Sequence, residues 1–140
     1  LHDIGKPVVA AMLLEAEAAI SQKRKQQWVD SQMWMQTVLD IHRDVATTLA
    51  EEWNLPQVVE TTIKDCSEYD PVNRVSIPNF VRFSNALSKQ QGLITGPTDL
   101  EETDALVLVG RSLLGIDDDS VIDRLIDGLK QRVRAQIQML

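Results

Sequence analysis

The longest regular run in the chain, residues 28–53, constrains the fold most. Met35, Val38, Leu39, His42, Val45, Ala46, Leu49 and Trp53 recur at three- and four-residue intervals, which puts them on one face of an α-helix. His42 is the one polar member of that apolar stripe. The prolines punctuate the chain in the same sense. Pro7, Pro56 and Pro78 each suit the first turn of a helix, where the missing N–H has no partner to lose, and Asn54 suits a helix stop.

Further helices follow from composition and caps. Residues 8–22 are rich in Ala, Leu, Met and Glu, all strong helix formers. Residues 57–66 place Val58, Val59 and Ile63 on one side. Ser76 caps a helix over residues 77–91, with Phe80, Phe83, Ala86 and Leu87 as its apolar face. Thr98 and Glu101 form a capping box for a helix ending near Gly115. Asp117, Asp118 and Asp119 crowd the start of the last helix, where they favour the positive end of its dipole. That helix is predicted to carry Val121, Leu125, Leu129, Val133 and Ile137 toward the core. The aspartate run lacks the alternating ligands, central glycine and closing glutamate of a calcium loop. There are no internal repeats and no convincing strand pairs. The expected fold is an all-α, multi-helix bundle forming one domain over residues 1–140.

Composition excludes several classes of function. The net charge is −7, so the chain as a whole repels nucleic acid and anionic membrane. Lys23-Arg24-Lys25 is the only basic cluster and reads as a solvated helix end or turn. The apolar run over residues 8–14 is broken by Glu15 and Glu17, too short for a bilayer and without the layout of a signal peptide. A lone cysteine, Cys66, allows no internal disulfide and fits a reducing, cytoplasmic setting. It reads as a small, partly buried apolar residue. Trp28, Trp34 and Trp53, with Met33 and Met35, read as core, or as a subunit contact where they are exposed.

The chemistry is concentrated at the start, in Leu1-His2-Asp3-Ile4-Gly5-Lys6. Imidazole and carboxylate both ligate divalent metals, and a lysine can hold a phosphate oxygen as a point charge. Plainer readings stand beside these. His2 and Asp3 can hydrogen-bond each other or cap a helix end, and Lys6 can be solvated or ion-paired. His42 can be a satisfied core histidine. Gly5 and Pro7 bracket Lys6, so a helix carrying His2 and Asp3 is expected to stop there and a new one to begin.

His2-Asp3-Ile4-Gly5-Lys6 resembles the signature of the HD superfamily of metal-dependent phosphohydrolases. The wider spacing is similar to one branch, the HDOD domains of bacterial signalling proteins. Ile41-His42-Arg43-Asp44-Val45-Ala46 resembles the second histidine segment of that family, and Leu49-Ala50-Glu51-Glu52-Trp53-Asn54-Leu55-Pro56 its Trp-x-Leu-Pro junction. Val81-Arg82-Phe83-Ser84-Asn85-Ala86-Leu87 matches the helix where HD enzymes carry a last metal-binding aspartate. The resemblance implies an HD-like helical bundle with His2, Asp3 and His42 as metal ligands and Lys6 on a phosphate. It also implies ligands that this sequence replaces. Asp65-Cys66 stands where a histidine is expected, and Asn85 where the final aspartate is expected. A histidine on a preceding helix would lie upstream of Leu1, so the chain is expected to be a fragment lacking at least one element.

What the resemblance implies for function is a non-catalytic regulatory output module with no catalytic residues and no cofactor. Such a module works through a protein partner, a signalling domain or a second copy of itself, and the fragment is expected to self-associate. Two alternatives stay open. One is a phosphohydrolase using Mn, Fe, Zn or Mg on a nucleotide or cyclic dinucleotide. The other is a nucleotide-binding sensor without turnover.

Overall fold

The computed structural model describes residues 1–24, 30–93 and 98–138, the side chains of 21–24 excepted. Trp28, the Lys23-Arg24-Lys25 side chains and part of the connection after Gly92 lie outside the described residues. Among those described, there are six helices and no strand, so the fold is all-α. The helices are α1 (Gly5–Arg24), α2 (Ser31–Glu52), α3 (Gln57–Asp65), α4 (Ile77–Gln90), α5 (Leu100–Leu114) and α6 (Asp119–Ile137). They fall into two compact units, Leu1–Asp65 and Cys66–Leu140.

In the first unit α2 packs against both α1 and α3. Asp30 caps α2 by accepting from the Met33 backbone N–H at 2.8 Å. The helix ends as its sequence predicts. Asn54 takes a left-handed conformation (φ 50°), the Leu55 N–H reaches the Ala50 carbonyl at 2.9 Å and the Asn54 N–H the Glu51 carbonyl at 3.0 Å. Those two bonds satisfy the last carbonyls of α2 in a Schellman arrangement. The buried side of α2 differs from the predicted stripe. It is Val38, His42, Ala46 and Ala50, four residues apart, while Leu39 and Trp53 are exposed, Trp53 to 56%. Met33 is also exposed and Trp34 and Met35 only half-buried, so these large side chains do not make core. The reason is helix-to-helix distance. Ala46 and Ala50, both almost fully buried, let neighbouring helices lie close, and Ile63 fills the space with Ile4, Leu55 and Val59 around it. A wider seam would be needed to take in an indole.

The second unit has α4 packed on α5, with α6 touching α4. Its core is Phe83, Ala86, Leu87, Val107 and Ile122. Ser76 caps α4 through the Asn79 N–H, as predicted, and Pro78 sits in the first turn. Phe80, predicted to face inward, is 44% exposed. Asp99, not Thr98, caps α5, accepting from the Glu101 and Glu102 N–H groups at 2.9 and 3.1 Å. The carboxylate, one residue nearer the helix, reaches both donors through the single oxygen Oδ1. Gly115 closes α5 at φ 68°, and Asp118 caps α6. Arg111 ties the two ends together, donating to the Ile116 and Asp117 carbonyls and pairing with Asp119 at 2.7 Å.

The predicted inward face of α6 is the largest correction. Only Ile122 is buried. Leu125 and Ile137 are exposed, and Val121, Leu129 and Val133 are half-buried. At 19 residues α6 is about 28 Å long, and within its unit only its first turns have core neighbours.

Candidate functional site

The opening residues do not form the end of a helix. Residues 2–4 make a turn, closed by the Ile4 N–H on the Leu1 carbonyl at 2.9 Å and the Lys6 N–H on the Asp3 carbonyl at 3.0 Å. Gly5 then begins α1 instead of breaking it. The turn bonds hand the chain directly to the helix, and Pro7 falls in the first turn, where its absent N–H is not needed. Gly5 is required for a different reason than backbone freedom. A Cβ there would fall on the His42 carbonyl oxygen and come within 2.7 Å of the carbonyl carbon and 3.0 Å of the Ala46 nitrogen. The absent side chain lets the start of α1 touch the backbone of α2, and this brings the turn against His42.

The consequence is a four-residue cluster around one carboxylate. Lys6 Nζ lies 2.9 Å from Asp3 Oδ2, His2 Nε2 3.4 Å from the same oxygen, and His42 Nε2 3.7 Å from Oδ1. The two imidazoles flank the carboxylate. His42 Nδ1 is 2.8 Å from the Leu39 carbonyl. A carbonyl only accepts, so Nδ1 carries the proton and Nε2 is the nitrogen turned toward Asp3. His2 Nε2 is buried and, despite its nearness to Oδ2, makes no hydrogen bond. Burial pulls the Asp3 carboxyl upward in pKa, but His2 and Lys6 outweigh it and hold the group well below the usual carboxylate range. Asp3 is thus an anion with a cation already beside it.

That arrangement bears on a divalent ion. Among the described residues, no group of three or more His, Cys, Asp or Glu side chains is placed to hold one. The carboxylate charge is balanced by the Lys6 ammonium, and His42 Nε2 stands too far from Oδ1 for a hydrogen bond. The donor set fits a divalent ion poorly as it stands. Of the replaced positions, Asp65 ends α3 with its side chain exposed, and Cys66 is buried at the start of the second unit. Asn85 lies half-buried on α4. Among the described residues, neither Asp65 nor Cys66 joins a group of His, Cys, Asp or Glu side chains placed to hold a metal.

Sequence reasoning passed over two residues of the second unit. Asn79 is fully buried. Its Oδ1 accepts from the Asp70 N–H at 2.9 Å, and its Nδ2 donates to the carbonyls of Asp70, Asn73 and Arg74 at 2.9, 3.2 and 2.9 Å. One side chain therefore holds the loop before α4. Tyr69 lies against Gly110, where a Cβ would meet the Tyr69 hydroxyl, and that hydroxyl donates to the Leu106 carbonyl at 2.9 Å. Arg82 Cζ sits 5.2 Å from the ring centroid. The polar, proline-bearing composition of residues 67–76 is that of a loop, but nothing in it shows which side chain holds the loop.

Among the described residues no helix is long and apolar enough to cross a membrane. No curated protein and no solved structure matches the chain. The HDOD domain family model matches residues 1–69. This span carries His2, Asp3, Gly5, Lys6, His42 and the Trp53-Asn54-Leu55-Pro56 junction, and residues 1–69 belong to the HDOD domain family.

Proposed function

We propose that the chain is a non-catalytic regulatory module of the signalling-related HD superfamily, acting by contact with a protein partner. The observation that supports this most is Lys6 on Asp3. The one carboxylate of the cluster already has its counter-charge at 2.9 Å, and a metal would have to displace that ammonium. In this reading the cluster is structural. Asp3, paired with Lys6, holds the opening turn's own charges, while Gly5 sets the close approach of that turn to the His42 backbone of α2.

One observation favours a second reading, a metal-dependent phosphohydrolase. His2 Nε2 is buried without a hydrogen bond, and the His42 tautomer turns Nε2 toward the same carboxylate. Under that reading His2, Asp3 and His42 would hold the ion, and the ion would supply an activated water. Lys6 would leave Asp3 for a substrate phosphate. Metal analysis of the purified untagged protein, with a phosphodiester screen in added Mn or Mg, separates the two. The regulatory reading expects substoichiometric metal and no turnover. Stoichiometric Mn, Fe or Zn that disappears in His2→Ala would overturn it in favour of the hydrolase. Thermal stabilisation by a nucleotide without turnover would overturn it in favour of a sensor.

A further inference from the structure

The second unit carries a groove that its own fold leaves unfilled. It runs between α4 and α6, encloses about 440 Å³, and has Phe83, Leu87 and Ile116 at its base. Phe80 from α4 and Leu125 from α6 stand at its mouth, 44% and 46% exposed. Leu129 continues the α6 wall one turn further. Apolar lining that stays half in solvent covers only one side of an occupant. A small ligand is normally buried over most of its surface, so the groove suits something amphipathic that keeps its other face wet.

Two independent features of α6 say what that occupant is. The first is charge. Arg124 and Arg132 both line the groove, two turns and about 12 Å apart on one side of the helix. Neither has a hydrogen bond or ion pair among the described residues. In a chain of net charge −7, two guanidiniums without an ion pair among the described residues, both beside one apolar floor, form a local exception. The second is Gly128, midway between them and also lining the groove. A Cβ on Gly128 would meet nothing within 4 Å. No neighbour among the described residues requires a glycine there, although it weakens a helix by about 1 kcal/mol relative to alanine. Its place in the wall leaves room for another backbone to approach α6 closely.

We infer that the groove between α4 and α6 receives an acidic amphipathic helix from a partner protein. Apolar side chains of that helix enter between Phe80 and Leu125, its backbone crosses over Gly128, and carboxylates two turns apart meet Arg124 and Arg132. This is the helix-in-groove mode of recognition. The inference rests on the reading of the chain as a protein-contact module and adds the surface and the partner's chemistry. A second copy presenting the same α6 face is disfavoured by charge. An antiparallel pair centred on Gly128 would set Arg124 of one copy against Arg132 of the other.

The test uses the whole chain and fluorescent helical probes of about four turns. One has a leucine stripe flanked by glutamates two turns apart, and a second has lysines in their place. The acidic probe should bind and the basic one should not. Affinity should fall at least about tenfold in Arg124→Glu and again in Arg132→Glu, and more steeply at low salt. Gly128→Leu should abolish binding while leaving the circular dichroism intact and the melting temperature no lower than that of the native protein. Equal binding of both probes, or no loss in the arginine variants, overturns the inference. So does displacement of the acidic probe by a stoichiometric amount of a fatty acid, which would assign the groove to an anionic amphiphile. A dimer in light scattering that both arginine reversals dissociate would assign it to a second copy. Failure of both probes removes this groove but not the protein-contact reading, which stands or falls on metal content and turnover.

Discussion

Gly5 lies so close to His42 that a single added methyl group would overlap the histidine's carbonyl oxygen. The glycine and the histidine are 37 positions apart in the chain, yet each depends on the other. The helix start can approach only because Gly5 has no side chain, and His42 faces Asp3 only because the helix start has approached. The obstacle to any larger residue is backbone on a buried helix face, which cannot rotate away.

Gly5→Ala should therefore destabilise the first unit by about 2–3 kcal/mol, the scale of overpacking a rigid core. Gly128→Ala is the matched control. With open space over Gly128, the same substitution should stabilise α6 by about 1 kcal/mol. Hydrogen exchange of amides in α1 and α2 for the first, and in α6 for the second, reads the two effects locally. Equal small effects at both glycines would mean that the contact between Gly5 and His42 is not a constraint.

Asn79 is the corresponding fastener of the second unit. Its carboxamide meets four backbone groups of residues 70–74 while fully buried. Removing it in Asn79→Ala leaves those groups without their partner and should lower stability by about 2–4 kcal/mol. Asn79→Asp is the more telling variant. It keeps an acceptor for the Asp70 N–H but sets a carboxylate against the three carbonyls that Nδ2 now satisfies. It should be no better than alanine, and should raise protease cleavage within residues 70–76. An aspartate as stable as the native asparagine would show that the donor side of the amide is dispensable.

How far the sequence anticipated this molecule depends on the range of the interaction. The helix stop at Asn54, the caps at Ser76 and in the 117–119 run, and the close of α5 at Gly115 were legible because a few neighbouring residues decide them. The HD constellation was legible as a motif, and the structure does bring His2, Asp3, Lys6 and His42 together. What was not legible is what distant segments decide. Gly5 read as a break because its local chemistry is that of a break, and its role is visible only with α2 in place. The α6 stripe of Leu125, Leu129, Val133 and Ile137 has the period of a core face. Periodicity says which residues share a side, not whether a neighbour exists to cover it. Asn79 carries no local signature, since its four partners are backbone groups of the preceding loop.

Tyr69 gives a pH-dependent prediction that can be read cleanly, because it is the only tyrosine in the chain. Burial raises the pKa of its phenol above the ordinary 10.0, against a smaller opposing pull from Arg82. The neutral form is the one that fits, because it donates to the Leu106 carbonyl at 2.9 Å and a phenolate cannot. A folded-state pKa above the unfolded one means that the contribution to stability is fully present below pH 10.0. It is then lost as pH rises through the higher folded value. Tyr69→Phe should lower stability by about 1 kcal/mol at neutral pH, the net worth of one hydrogen bond. The gap between the two proteins should stay constant up to about pH 10 and close above it, and because every other group is common to both, the difference isolates Tyr69. Ultraviolet absorbance of the phenolate gives the midpoint directly. A midpoint at or below 10.0 in the folded protein, or a gap that persists at high pH, would remove the Leu106 bond from the account of the second unit.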